Sequence, residues 1–310
     1  MTKEEYAKKA HQWAKALKLL DPSIKLILCG ENGTSDWDRY VLQHSIEYID
    51  MHSIHTYTAD AEHIPNVIAP LSAERAIEMT ASLIDLARLN NRFTNPPTAD
   101  THISHKPTIC FDEWNVWMYT RAPGDQGAEE CYTLSDALAV GVWLNVFVRQ
   151  ARYLGMANIA QSVNVISPLM TTKDGIIKQT SYYILYLFSN YMRGKVLGVH
   201  LTSGVYEGRT LPEWIGTTMD IPWLDVSGAI SEDGFVNLSV VNISEDEDIP
   251  TEVSILDGTK VQVLRVGGSK FEVTDTNTAG KETIKIQDET WIASGKFKFE
   301  KRSYTLLRWK

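Results

Sequence analysis

The strongest constraint on this chain is a change of hydrophobic period near Gly194. Before it, near-continuous apolar runs alternate with longer helical patterns; after it, short runs alternate apolar and polar side chains. Runs that are apolar on both faces need cover on both faces, which a parallel sheet between helices supplies, whereas period-two strands suit sheets with one buried face. The expected division is therefore α/β over residues 1–193 and all-β over 194–310, with no low-complexity linker between the two.

In the first part, Tyr6, Ala10, Trp13, Leu17 and Leu20 recur at helical spacing over residues 3–20, behind a capping box at Thr2-Lys3-Glu4-Glu5 and ahead of a stop at Asp21-Pro22. Strands are predicted at 24–29, 48–57, 108–114 and 158–167, and helices at 72–90, 133–153 and 179–192, with a short weak helix after the first strand. Residues 91–105, which hold Asn-Pro-Pro, read as a loop. In the second part, alternating runs at 196–202, 224–230, 235–243, 251–256, 260–266, 283–287 and 303–309 predict an antiparallel β-sandwich. Asp257-Gly258 and Asp233-Gly234 signal hairpins, and Gly267-Gly268 a turn.

Composition narrows the function. The 310 residues are 44% apolar and 22% charged, the make-up of a globular chain, and the net charge of −9 with no basic run argues against nucleic acid or an anionic membrane as partner. Cys29, Cys110 and Cys131 are widely spaced, without a CxxC unit; two lie in apolar runs and are expected to be buried thiols. No stretch of 18 apolar residues occurs and the amino terminus does not resemble a secretory signal. A cytoplasmic protein is the expectation, or an extracellular one if a leader precedes Met1, in which case the sequons at Asn32, Asn237 and Asn242 become relevant.

The best candidate for chemistry is Thr108-Ile-Cys-Phe-Asp-Glu-Trp-Asn-Val-Trp117, an apolar strand ending in Asp112-Glu113. Sites in α/β folds form at the carboxyl ends of strands. Period two sends Glu113 to one face with Phe111 and Asp112 to the other, so a single carboxylate is expected to face the site. His52 and His55 face opposite ways on their strand, which argues against a metal pair, while His55 and Tyr57 share a face and can hold a sugar hydroxyl or a carboxylate. Gln161 is a polar group in an apolar run and needs a partner if buried. Trp114 and Trp117 suit stacking on a sugar or ordinary packing. No GxGxxG, GxSxG or P-loop spacing occurs.

At Phe111-Asp-Glu-Trp-Asn-Val-Trp117 the chain closely resembles the α-L-arabinofuranosidases of glycoside hydrolase family 51. The resemblance extends through His52-Ser-Ile-His-Thr-Tyr57, Tyr132-Thr-Leu-Ser-Asp-Ala137 and Asn158-Ile-Ala-Gln-Ser-Val-Asn-Val-Ile-Ser-Pro168, and weakly to Pro222-Trp-Leu-Asp-Val226. It covers nearly the whole chain and is nearest to the fungal branch. It implies a (β/α)₈ TIM barrel followed by a jelly-roll β-sandwich, and retaining release of terminal arabinofuranosyl groups from arabinan and arabinoxylan without metal or organic cofactor. By motif it implies that Glu113 is the nucleophile at the end of strand seven. His55 and Tyr57 flank it at the end of strand six, and Trp117 and Gln161 line the arabinose pocket. The family's acid/base glutamate follows an asparagine at the end of strand four, ahead of the helix that opens this sequence, so the chain is expected to hold strands five to eight only. Glu31, in Cys29-Gly-Glu-Asn-Gly33, precedes its asparagine instead of following it. Two outcomes remain open on the sequence: an arabinofuranosidase lacking its first barrel half, or a non-catalytic half-barrel that binds carbohydrate or pairs with another chain, a homo-oligomer included. Either exposes the outer strands and apolar helix faces.

Overall fold

A computed structural model describes residues 1–94, 106–122 and 128–310. The first part of the chain runs α1 (Lys3–Leu20), β1 (Ile27–Leu28), α2 (Asp36–Ser45), β2 (Met51–Thr58), α3 (His63–Ile68), α4 (Ser72–Thr94), β3 (Thr108–Val116), α5 (Leu134–Arg149), β4 (Leu154–Ile159), β5 (Leu169–Thr172), β6 (Gly175–Lys178) and α6 (Thr180–Tyr191). The second runs β7 (Lys195–Leu197), α7 (Ile215–Thr218), β8 (Leu224–Ile230), β9 (Val236–Asn242), β10 (Ile249–Glu252), β11 (Lys260–Gly267), β12 (Gln287–Ile292), β13 (Lys296–Phe299) and β14 (Ser303–Trp309). These pack as two compact units: residues 1–57, 73–114 and 150–160, and residues 58–72, 115–149 and 161–310.

The first unit is built on a sheet of order β1-β2-β3-β4, parallel at β1–β2 and at β3–β4. Strands that neighbour one another in chain order, with helices between, are successive β/α units added in one direction. The capping box that opens α1 is complete: the Thr2 hydroxyl accepts the Glu5 N–H and the Glu5 carboxylate accepts the Thr2 N–H. Ser35 and Asp38 open α2 in the same way. Asp50 ties the lower ends of the strands together, accepting from Lys18 Nζ and the Leu26 N–H at 2.8 Å each, while its carbonyl accepts the Thr108 N–H. Trp13 and Leu20 of α1 stand exposed, as do Ile27 on β1 and Met156 on β4, the outer strands. Helix α4 continues to Thr94, past the expected end at 90, and the remainder of the expected loop, 95–105, lies outside the described residues.

The second unit holds an antiparallel six-stranded sheet of order β12-β11-β14-β9-β8-β7 and a two-stranded pair β10-β13. Leu224, Val240, Val263 and Leu307 of the large sheet pack with Phe297 and Phe299 of β13, the two-layer burial that period-two strands require. The opposite face of the large sheet meets α5, a helix buried along nearly its whole length. Gly141 permits the approach, since a Cβ there would stand 3.0 Å from Val241 Cγ2. Asn145 then locks α5 to the sheet: its Oδ1 accepts the Ser227 and Ser239 hydroxyls at 2.6 Å, and its Nδ2 donates to Asp225 Oδ1 at 2.7 Å. Helices α5 and α6 bury their apolar sides within the second unit, together with the strands that follow Gly194.

Three expectations need correction. The fourth strand is Leu154–Ile159, not 158–167. Its start is set by the Ile109 N–H donating to the Tyr153 carbonyl, and beyond it Asn164 and Ile166 take φ of 67° and 38°, outside any strand. The backbone there is satisfied from elsewhere, with Asn115 Nδ2 donating to the Ile166 carbonyl and Gln179 Nε2 to that of Ser167. Asp257-Gly258 does turn, with Gly258 at φ 84°, but it passes from β10 in one sheet to β11 in the other and closes no hairpin, whereas Asp233-Gly234 joins the paired β8 and β9. The strand expected at 283–287 begins only at Gln287, and β13 and the β5–β6 hairpin lack a counterpart in the sequence pattern.

Replacing Asn145 by Ala removes the shared partner of Ser227, Ser239 and Asp225 and is expected to lower the unfolding free energy by about 2–3 kcal/mol. Urea titration reads this as a lower midpoint at unchanged slope; an unchanged midpoint contradicts it.

Candidate active site

Pairing between β3 and β4 sets Phe111 opposite Ala157 and Trp114 opposite Ile159, so three steps on β3 span two on β4. The surplus residue is a bulge at Asp112-Glu113. It breaks the period-two alternation, and the two adjacent carboxylates leave the apolar interior together while Phe111 and Trp114 on either side stay buried. The expectation that only one carboxylate faces the site is therefore corrected. Both meet the same face of β2: the Tyr57 hydroxyl donates to Glu113 Oε2 at 3.0 Å, and His55 Nε2 lies 2.8 Å from Asp112 Oδ1, with Ser53 Oγ 3.2 Å from that nitrogen.

Burial, and then the hydrogen bond to Glu113 and its charge, push the Tyr57 phenol up to about 12. Tyr57 is thus a neutral donor throughout the physiological range, holding one oxygen of the Glu113 carboxylate.

The end of β2 is itself held from behind by Asp38, which the sequence reading did not single out. Its fully buried carboxylate accepts the Glu31 and Gly33 N–H groups at 2.9 Å, the Ser35 hydroxyl at 2.8 Å and His52 Nε2–H at 2.8 Å. Burial alone would raise its pKa, yet the bonds from His52, Glu31 and Ser35 outweigh that and hold it below the usual carboxylate range. The Glu31 carbonyl in turn accepts the His55 N–H at 2.8 Å. Gly30 lets the loop lie this close, since a Cβ there would stand 2.1 Å from the Ser53 carbonyl oxygen. The one signal available in sequence was the Ser35-x-x-Asp38 capping pattern.

Glu113, Tyr57 and His55 are thus brought together in the first unit, while Trp117 and Gln161 belong to the second. Trp117 follows the end of β3 and its N–H donates to the Thr58 carbonyl at 3.0 Å. Gln161 lies past β4 and is exposed, so its amide is solvated rather than buried. Cys110 is buried as expected; Cys29 is exposed, and burial of part of its environment together with the negative charges of Asp112, Asp38 and Glu113 pushes its thiol up. Among the described residues no cluster of three or more His, Cys, Asp and Glu is arranged to hold a metal ion.

Removing the Glu113 charge should lower the Tyr57 titration from about 12 part of the way toward the ordinary phenol value, since burial persists. The check is the ultraviolet phenolate difference between Glu113→Gln and the same variant carrying Tyr57→Phe; an unchanged titration would show that the two groups do not interact.

Comparison with known proteins gives the site a context. The C-terminal domain of α-L-arabinofuranosidases matches residues 112–304. The probable α-L-arabinofuranosidase C of Aspergillus clavatus is 57% identical over 321 residues, and that of Aspergillus niger 58% identical over 322; each alignment covers 100% of this chain and 62% of the relative's length. The solved structure of the thermostable GH51 α-L-arabinofuranosidase from Thermotoga petrophila RKU-1 superposes with a TM-score of 0.83 at 28% identity, covering 100% of this chain and 63% of that one. The chain spans somewhat under two thirds of the length of these relatives.

Proposed function

The chain belongs to the α-L-arabinofuranosidase family, and we propose that it carries the nucleophile side of a retaining arabinofuranosidase site, acting on terminal α-L-arabinofuranosyl groups of arabinan or arabinoxylan. The observation that carries this reading is the Tyr57–Glu113 hydrogen bond at the bulge of β3. In the proposed reaction Glu113 Oε1 attacks the anomeric carbon while Tyr57 holds Oε2, and the glycosidic oxygen leaves with a proton from a second carboxyl group. Water, deprotonated by that same group, then cleaves the glycosyl ester and restores Glu113.

Retention requires the second carboxyl at roughly 5–5.5 Å from the first. In this reading it is supplied by the portion of the relatives' length that the present chain does not span. His55, oriented beside Asp112, and Trp117 and Gln161 are proposed as contacts to the arabinose: the imidazole and the amide for hydroxyls, the indole for the CH face. Residues 1–193 are proposed as strands five to eight of a (β/α)₈ barrel and 194–310 as a jelly-roll domain. The parallel order β1-β2-β3-β4 and the two-layer packing around Phe297 and Phe299 support that assignment.

In a protein of the relatives' full length that includes this chain, Glu113→Gln is expected to lower turnover of an aryl α-L-arabinofuranoside by about a thousandfold or more. Activity retained to within tenfold would remove Glu113 from the mechanism.

A further inference from the structure

We propose that Glu130 is a positioning residue for Trp117: its carboxylate pins the backbone leaving β3 and so sets where the indole stands. The functional meaning of this rests on the reading of Trp117 as a wall of the arabinose site; the positioning itself does not.

The segment after β3 is held at successive residues. Tyr132 donates its hydroxyl to the Val116 carbonyl at 2.7 Å, and the Trp117 N–H donates to the Thr58 carbonyl at 3.0 Å. The Met118 N–H then donates to Glu130 Oε1 at 2.6 Å. The second oxygen, Oε2, accepts Arg121 Nη2 at 3.0 Å, and the same guanidinium bonds both oxygens of Asp136 at 2.7 and 3.1 Å. Both carboxylates are fully buried. Trp117 is thus gripped through its own N–H on one side and through its neighbour's on the other, and the second grip depends on a side chain.

That grip requires an ionised carboxylate. Both oxygens of Glu130 face donors, an amide on one side and a guanidinium on the other. A proton on either oxygen points a donor at a donor, so one of the two must let go. Two buried carboxylates share one guanidinium, which makes the proton easier to acquire. Burial first, and Asp136 after it, push Glu130 up to about 7 against the opposing pull of Arg121 and the Met118 N–H. Among the described residues the groups facing Glu130 are Arg121 from its own loop, Asp136 from α5, and the uncharged Gln179 ahead of α6, which donates to the Glu130 carbonyl. His63 of α3 contacts Ser135 beside Asp136, and burial holds it down to about 4, so it stays neutral above pH 5.

The test is the Trp117 emission of the 310-residue chain, taken as wild type minus Trp117→Phe, followed from pH 5.5 to 8.5. The expected result is a single transition centred near 7. Glu130→Gln, whose amide can accept one of the two donors but turns its NH₂ toward the other, should show the low-pH emission throughout. Arg121→Met removes the cation that favours the ionised form and should move the midpoint upward by about one unit or more. No transition in the wild type, a transition retained in Glu130→Gln, or a midpoint lowered in Arg121→Met overturns the proposal. If Glu130→Gln does not fold, the wild-type profile and the direction of the Arg121→Met shift decide. The sugar-site reading is tested separately in a protein of the relatives' full length: there, a Trp117 signal that follows Glu130 but does not respond to added L-arabinose leaves the positioning role standing and argues against the sugar-site reading alone.

Discussion

A strand that is apolar on both faces cannot present two adjacent carboxylates on one side while it keeps its alternation. The bulge at Asp112-Glu113 resolves that conflict: it spends one extra residue to keep Phe111 and Trp114 in the interior and delivers both acids to the face of β2 that carries His55 and Tyr57. Each carboxylate then meets its own partner, Glu113 the Tyr57 phenol and Asp112 the His55 ring. Without the bulge, Asp112 would turn into the apolar layer, where an unpaired charge is costly.

Buried polar groups hold the backbone in each unit. Directly behind β2, Asp38 accepts the Glu31, Gly33 and Ser35 N–H groups and the ring of His52, and the Glu31 carbonyl fixes the backbone of His55. Asp38 and His52 are both fully buried, and each oxygen of the Asp38 carboxylate accepts two or more hydrogen bonds. In the second unit, Asn145 binds α5 to the large sheet through three buried polar partners, and Asp136 near the start of α5 organises Arg121 and the backbone that leaves β3.

Much of this was legible in the sequence, for reasons that can be named. An apolar run ending in acids marks a strand terminus, so Glu113 stood out, and period two correctly set His55 beside Tyr57 and opposite His52. Period two also hid the bulge, because alternation counted along one strand contains no information about its register with a neighbour. The strand expected through Gln161 fails for a related reason: Ile159, Val163, Val165 and Ile166 look like a strand, yet residues beyond β4 are satisfied by Asn115 and Gln179 rather than by a ladder. Asp257-Gly258 is a local turn signal, but the choice of sheet on either side of it is made by the burial of Phe297 and Phe299, forty residues on. Asp38 escaped notice because its partners lie in a loop and on another strand, and a capping pattern explains it adequately until the fold is known.

In the proposed mechanism the bulge presents Glu113, and not its neighbour Asp112, as the attacking carboxylate. The direct measurement is covalent trapping, in a protein of the relatives' full length, with an α-L-arabinofuranosyl donor fluorinated at carbon 2 and bearing an activated leaving group, followed by peptide mass mapping. One glycosyl adduct is expected, located on Glu113; an adduct on Asp112 or on Glu31 would overturn the assignment.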